Sequence, residues 1–235
     1  MNKENKLELY RMMLLIRLFE EALEEMFSRG LLHGTMHLSI GQEATATGAC
    51  LALEREDLIT STHRGHGHCL AKGADPYKMI AELLGREDGY CRGRGGSMHI
   101  ADLSNGNLGA NGIVAGSLTI SVGAALSLKI QKQDNIVLCF FGDGAVNEGS
   151  FHEALNLASL WDLPVLFVCE NNQYGMSMAS ENAVAGGSIA QRAESYGIKS
   201  ISIDGNNVEE VYNSVLEFKE TIKSSGKPMF IESVT

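Results

Sequence analysis

In the second half of the chain short strand-like runs take turns with helical segments, a pattern that few architectures satisfy. NIVLCFF (135–141) is continuously apolar, and the strand-like runs PVLFVCE (164–170), KSISID (199–204) and PMFIESV (228–234) follow it. The segments SVGAALSLKIQ (121–131), EGSFHEALNLASLW (148–161), SIAQRAESYG (188–197) and NVEEVYNSVLEFKETIKSSG (207–226) intervene with helical periodicity. A strand that is apolar at every position is covered on both faces, and strands joined by helical crossovers lie parallel. The expected fold is therefore α/β, a mostly parallel sheet with helices on both faces.

The first half is less regular. Leu7, Tyr10, Leu14, Phe19, Leu23, Met26 and Phe27 recur at mostly three- and four-residue steps, and Gly30 follows as a stop, so a long amphipathic helix is expected over residues 1–30. DLITST predicts a short strand. DPYKMIAELLG predicts a helix with Asp75 as cap, Pro76 in its first turn and Gly85 just past its end. Between them lie loops rich in glycine and histidine. No repeat or low-complexity tract is present, and a single domain over 1–235, with 1–30 as a helical extension, is expected.

Charge and cysteine usage narrow the function classes. A formal net charge of -10 speaks against a nucleic-acid surface, which needs clustered cations. The short CRGRGGSMHI segment, with Arg92 and Arg94, is too isolated to change that. Five scattered cysteines without CxxC spacing predict buried free thiols rather than disulfides or a zinc site. Arg11 and Arg17 interrupt the apolar opening segment, so neither a signal peptide nor a membrane span is expected, and a cytoplasmic location is the default.

Chemistry concentrates at the ends of the apolar runs, where parallel sheets form their sites. GDG (142–144) sets an aspartate between two glycines at such an end. Taken alone it reads equally as a surface turn. Close backbone approach at Gly142 and Gly144, and a following helix expected to be capped by Asn147, also suit a phosphate. A carboxylate beside a phosphate requires a divalent cation between them, and magnesium accepts a carboxylate with neutral oxygens. ENNQYG supplies those oxygens: the amide of Asn172, 29 positions after Asp143, and the main-chain carbonyl of Tyr174.

GDGAVNEGSFHEALNLASLWDLPVLFVCENNQYGMS resembles the thiamin diphosphate signature, and specifically its form in the alpha subunits of 2-oxo acid dehydrogenase and acetoin dehydrogenase complexes. HLSIGQEA, THRGHGH, GRGGSMHI and GANGIVAG resemble further motifs of that family in the same order, so residues 8–235 are covered. The resemblance implies thiamin diphosphate and Mg2+ as cofactors, with Asp143, Asn172 and Tyr174 holding the metal and Gly144 and Ala145 near the diphosphate. It also places Arg64 on the diphosphate, with His63 beside it where some relatives carry tyrosine. Gly112 and Val114 match positions whose backbone meets the aminopyrimidine ring. His37 matches a histidine that faces the reaction centre and is expected to position substrate or the incoming acyl acceptor, with a core histidine as the lesser alternative. His63, His66 and His68 lack the helical spacing of a zinc site. Ser97 and His99 either face the cofactor channel or brace neighbouring loops.

The implied activity is cleavage of acetoin or a 2-oxo acid such as pyruvate, with acyl transfer to the lipoyl group of an acyltransferase. STHRGHGH and GANGIVAG look more like the acetoin branch. An activating glutamate is expected from a beta subunit in an alpha-two beta-two assembly, while Glu148 and Glu153 of this chain complement a helix N-terminus. The N-terminal half of a split transketolase is the alternative within the cofactor class, and a non-catalytic partner-binding remnant the alternative outside it. The family's C-terminal region, which closes over the diphosphate, has no counterpart before Thr235, so impaired cofactor closure and lipoyl docking are expected.

Overall fold

The computed structural model describes residues 1–235. Its centre is a sheet of five parallel strands, β1 (Leu58–Thr60), β2 (Val137–Gly142), β3 (Val165–Asn171), β6 (Lys199–Asp204) and β7 (Met229–Val234), in the order β1-β2-β3-β7-β6. A separate two-stranded hairpin, β4 (Tyr174–Gly175) and β5 (Met178–Ala179), follows β3. Every strand expected from the strand-like runs is present.

Nine helices surround the sheet. Four precede the second strand's crossover, α1 (Lys3–Ser28), α2 (Glu43–Leu51), α3 (His66–Ala71) and α4 (Pro76–Leu83), and the crossover itself is α5 (Gly116–Gln131). Then come α6 (Gly149–Leu160), α7 (Ser180–Ala183), α8 (Ile189–Glu194) and α9 (Val208–Ser225). Strand alternation divides the core in two. Leu138, Phe140, Leu166, Val168 and Ile231 face a layer built from α1, α2, α3 and α9. Val137, Cys139, Phe141, Phe167, Cys169 and Phe230 face α5, α6 and α8. Both sets are fully buried, which is why the stretches 136–141 and 165–169 contain no charged or amide side chain. Each buried phenylalanine contributes roughly 1.5–3 kcal/mol over an exposed one. At one point the layers touch backbone to side chain: a Cβ on Gly48 of α2 would meet the Val211 Cβ of α9 at 2.8 Å.

Three local expectations need correction. The stretch between β1 and α4, expected as loop, contains the buried helix α3. The buried stripe of α1 is Leu9, Ile16, Phe19, Glu20 and Leu23, whereas Leu7, Tyr10, Leu14 and Phe27 are exposed. The helix carries two apolar stripes, and the one turned inward includes a carboxylate, Glu20, that a periodicity count scores as polar. Asn147 does not cap α6. The chain leaves β2 through a 3-10 turn, Asp143–Asn147, and Glu148 takes the N-cap position without a side-chain cap bond. The Asn147 amide oxygen instead accepts from Arg192. The Asp75 cap, by contrast, accepts from the Tyr77 N–H, with Pro76 next to it and Gly85 at φ 68°.

All five cysteines are free. Burial pushes the Cys50 and Cys69 thiols up to about 12, so neither is a thiolate near neutrality. No helix is long and apolar enough to cross a membrane.

Candidate functional site

The carboxyl ends of β1, β2 and β3 open onto one cleft of about 720 Å³. Residues 62–64 after β1 supply Thr62, His63 and Arg64; the tip of β2 supplies Gly142 to Ala145; and β3 with its hairpin supplies Glu170, Asn172, Tyr174 and Gly175. Parallel register sets these tips side by side, with Gly142 opposite Glu170. The loop before α5 adds Asn111, Ile113, Val114 and Ala115, and the segment before α2 adds His37 and Gln42.

Asp143 is 3% exposed and carries the first carboxylate beyond β2. Burial raises its carboxyl above the ordinary range, and the Ser180 hydroxyl with the N–H groups of Asp143 and Gly144 only partly offsets that. Such an acid is poised for a cation, which would remove the cost of ionising it. The Asn172 amide oxygen accepts from the Tyr174 N–H at 3.3 Å, an Asx turn that keeps it at the strand tip. Gly144 and Gly175 approach so closely that a Cβ on Gly175 would lie 3.4 Å from the Gly144 Cα. Side chains there would narrow the cleft between the two strand tips.

Positive and titratable groups line the same cleft. Arg64 lines the cleft and donates to the Leu38 carbonyl at 2.6 Å, which ties it to the segment carrying His37. His37 and His63 meet edge to face, with ring centroids 4.6 Å apart. Burial lowers both imidazoles, and Arg64 lowers each further; His37 also lowers His63, which Glu170 partly restores. Both rings are thus held neutral and free to donate or accept. The His37 Nδ1 is buried without a partner, a position that a bound ligand could satisfy.

Of the residues singled out in the sequence, His37, His63, Arg64, Val114, Asp143, Gly144, Ala145, Asn172 and Tyr174 all line this cleft. Gly112 does not line it; it packs against the His99 imidazole, where a Cβ would meet Nε2 at 3.4 Å. Ser97 and His99 brace rather than face the cleft. The Ser97 hydroxyl lies 2.9 Å from His66 Nε2, and His99 turns back to the Gly95 carbonyl. His66 and His68 are each engaged by a separate buried acid, Glu20 and Glu170. Glu20 also accepts from the Ser39 N–H and hydroxyl. One carboxylate therefore joins α1, α3 and the segment behind His37. Glu148 reaches the cleft from the start of α6.

Sequence reading passed over the two acids that organise the loops. Glu170 stands directly before Asn171 in the ENN motif, a signal that was available. Glu82 lies in an ordinary helical stretch and gave none. It accepts four backbone N–H groups, from Cys91 at 2.7 Å, Gly93 at 2.8 Å, Gly95 at 2.7 Å and Gly96 at 3.1 Å. Burial pushes its carboxyl up, but those four donors outweigh it and leave it lowered.

Comparison with known proteins sets this geometry in context. The family described as "Dehydrogenase E1 component" matches residues 10–235. The chain is 50% identical over its whole length to the alpha subunit of acetoin:2,6-dichlorophenolindophenol oxidoreductase of Bacillus subtilis (strain 168), covering 71% of that protein. It is 44% identical to the subunit of the same name from Cupriavidus necator, over 99% of this chain and 70% of that one. It is 39% identical to the pyruvate dehydrogenase E1 component subunit alpha of Rhizobium meliloti (strain 1021), covering 67% of it. A crystal structure from Mycobacterium smegmatis, described as that of a thiamin diphosphate-dependent enzyme, superposes with a TM-score of 0.55 over 86% of this chain and 34% of that one. At 16% identity the last match speaks to the fold.

Proposed function

Because this chain belongs to the dehydrogenase E1 component family, we propose that it is the alpha subunit of a thiamin diphosphate-dependent oxidoreductase that cleaves acetoin, or a 2-oxo acid such as pyruvate, and passes the acyl group to a lipoyl carrier. The observation that carries this reading is the shared cleft: a buried acid at the tip of β2 and an amide oxygen at the tip of β3 face one space beside a guanidinium. The higher identity to the two acetoin-linked subunits, 50% and 44% against 39%, favours acetoin.

The residues fit the cofactor by their chemistry. Asp143, the Asn172 amide and the Tyr174 carbonyl would hold Mg2+, one carboxylate with neutral oxygens as that ion prefers. Arg64 would meet the diphosphate with a fork of fixed charge, and Gly144 and Ala145 would let the backbone come close. When bound, thiamin diphosphate supplies the carbon nucleophile that opens the bond next to the substrate carbonyl. Val114 lines the wall toward the ring end, with Gly112 behind it supporting the loop. Neutral His37, with its unpartnered Nδ1, orients the substrate oxygen, and His63 against its edge limits its rotation. A beta subunit supplies the activating glutamate and closes the open side of the cleft in an alpha-two beta-two assembly. A lipoyl-bearing acyltransferase then accepts the acyl group.

Calorimetric titration with thiamin diphosphate, with and without Mg2+ and with and without the beta subunit, tests the reading, followed by turnover on acetoin and on pyruvate. Metal-dependent binding and turnover of the assembled pair are expected. Absence of metal-dependent binding in every combination would instead favour a partner-binding role without catalysis.

A further inference from the structure

Glu170 is 4% exposed, yet it lines the cleft. Its Oε1 lies 3.1 Å from His68 Nε2, while Oε2 takes part in no hydrogen bond. The imidazole behind it is locked from two further sides. His68 Nδ1 is 2.8 Å from the buried Ser61 hydroxyl, and the ring stacks on Phe140 with centroids 3.7 Å apart and planes 9° from parallel. With Nε2 donating to the carboxylate, Nδ1 is left to accept from Ser61. The Ser61–His68–Glu170 chain therefore fixes one carboxylate oxygen and leaves the other turned to the cleft. That oxygen is free to accept a hydrogen bond from whatever occupies the cleft.

The position identifies the partner's chemistry. Glu170 is opposite Gly142 in the sheet, one residue before Asp143, and two residues before Asn172. A second carboxylate beside a diphosphate opposes binding of the anion and favours binding of its cation. We propose that Glu170 is a positioning residue of the metal site: its free oxygen accepts a hydrogen bond from a water held by Mg2+, and His68 with Ser61 aims it. Carboxylates just outside a metal's ligands orient what the ion holds and strengthen its binding. This inference rests on the reading of the cleft as a metal–diphosphate site.

The test uses the chain assembled with its beta subunit and titrates Mg2+ at fixed thiamin diphosphate by calorimetry. In Glu170→Gln the apparent Mg2+ dissociation constant should rise about 10- to 100-fold. Thiamin diphosphate titrated in chelator should bind that variant at least as tightly as the wild type, because a like charge has gone. A merely structural role would not move the two affinities in opposite directions. Glu170→Asp keeps the charge and shortens the reach by one methylene, so its Mg2+ affinity should fall between the two. His68→Phe removes the brace and should weaken Mg2+ in the same direction, by less than Glu170→Gln. Metal-dependent binding in the wild type with a Glu170→Gln affinity within about twofold of it would overturn the inference and leave the functional reading standing. No metal-dependent binding in the wild type would remove the reading itself.

Discussion

Glu82 is where a single atom exchange should be felt across a whole loop. Its Oε2 accepts from the Cys91 and Gly93 N–H groups and its Oε1 from those of Gly95 and Gly96. Glu82→Gln preserves size but turns one oxygen into an NH2, so two of the four N–H groups face a donor instead of an acceptor. An N–H left without its acceptor costs about 1–3 kcal/mol, and these donors are only part-buried, which selects the low end, about 2–3 kcal/mol for the pair. For a chain of this size that corresponds to a melting-temperature drop of roughly 4–12 °C. The effect should be local first. Residues 91–96 should exchange their amide hydrogens faster, and the Ser97 contact to His66 and the His99 contact under Gly112 should loosen with them. Urea denaturation combined with residue-resolved hydrogen exchange measures both. The pH dependence has a definite sign. The folded carboxyl is lowered from its ordinary 4.5, so its contribution is complete above that value and is lost as pH falls through the lower folded value. A loss below about 1 kcal/mol with unchanged exchange at 91–96 would refute the assignment of Glu82 as the loop's anchor.

Asp143→Asn should raise the melting temperature of the metal-free protein at neutral pH, because burial raises the native carboxyl and its ionised form destabilises the fold as pH climbs through that raised value. The same variant should lose more than about 100-fold in Mg2+ affinity, exceeding the loss for a residue outside the ligand set; thermal shift with and without metal reads both. Gly48→Ala places a Cβ 2.8 Å from the Val211 Cβ and 2.9 Å from the Val208 carbonyl, so α2 and α9 must separate, at a cost of about 1–3 kcal/mol by chemical denaturation. Glu20→Gln should destabilise by a similar ~1–3 kcal/mol, and the wild-type advantage should shrink in acid. Burial raises the Glu20 carboxyl but His66 and Ser39 more than reverse it, so its stabilisation is present above the ordinary carboxyl range and lost as pH falls through the lowered one.

The edge strand β6 is largely exposed, whereas the inner strands β2, β3 and β7 were legible from residue order alone because they are covered on both faces. Such strands admit almost nothing polar, and helices between them leave parallel pairing as the economical connection. The GDG and ENN segments were legible for a related reason: strand tips of a parallel sheet converge, so residues 29 positions apart in the chain face one cleft. Tertiary structure alone decided which stripe of α1 turned inward, since the choice hangs on Glu20 reaching His66 and Ser39, partners 46 and 19 residues away. It alone packed Gly112 against His99 and made Glu82 the holder of a loop that begins nine residues later. Local periodicity records what each residue prefers next to water or oil. Which buried carboxylate finds which donor is settled only when distant segments are packed together and every buried charge must be answered.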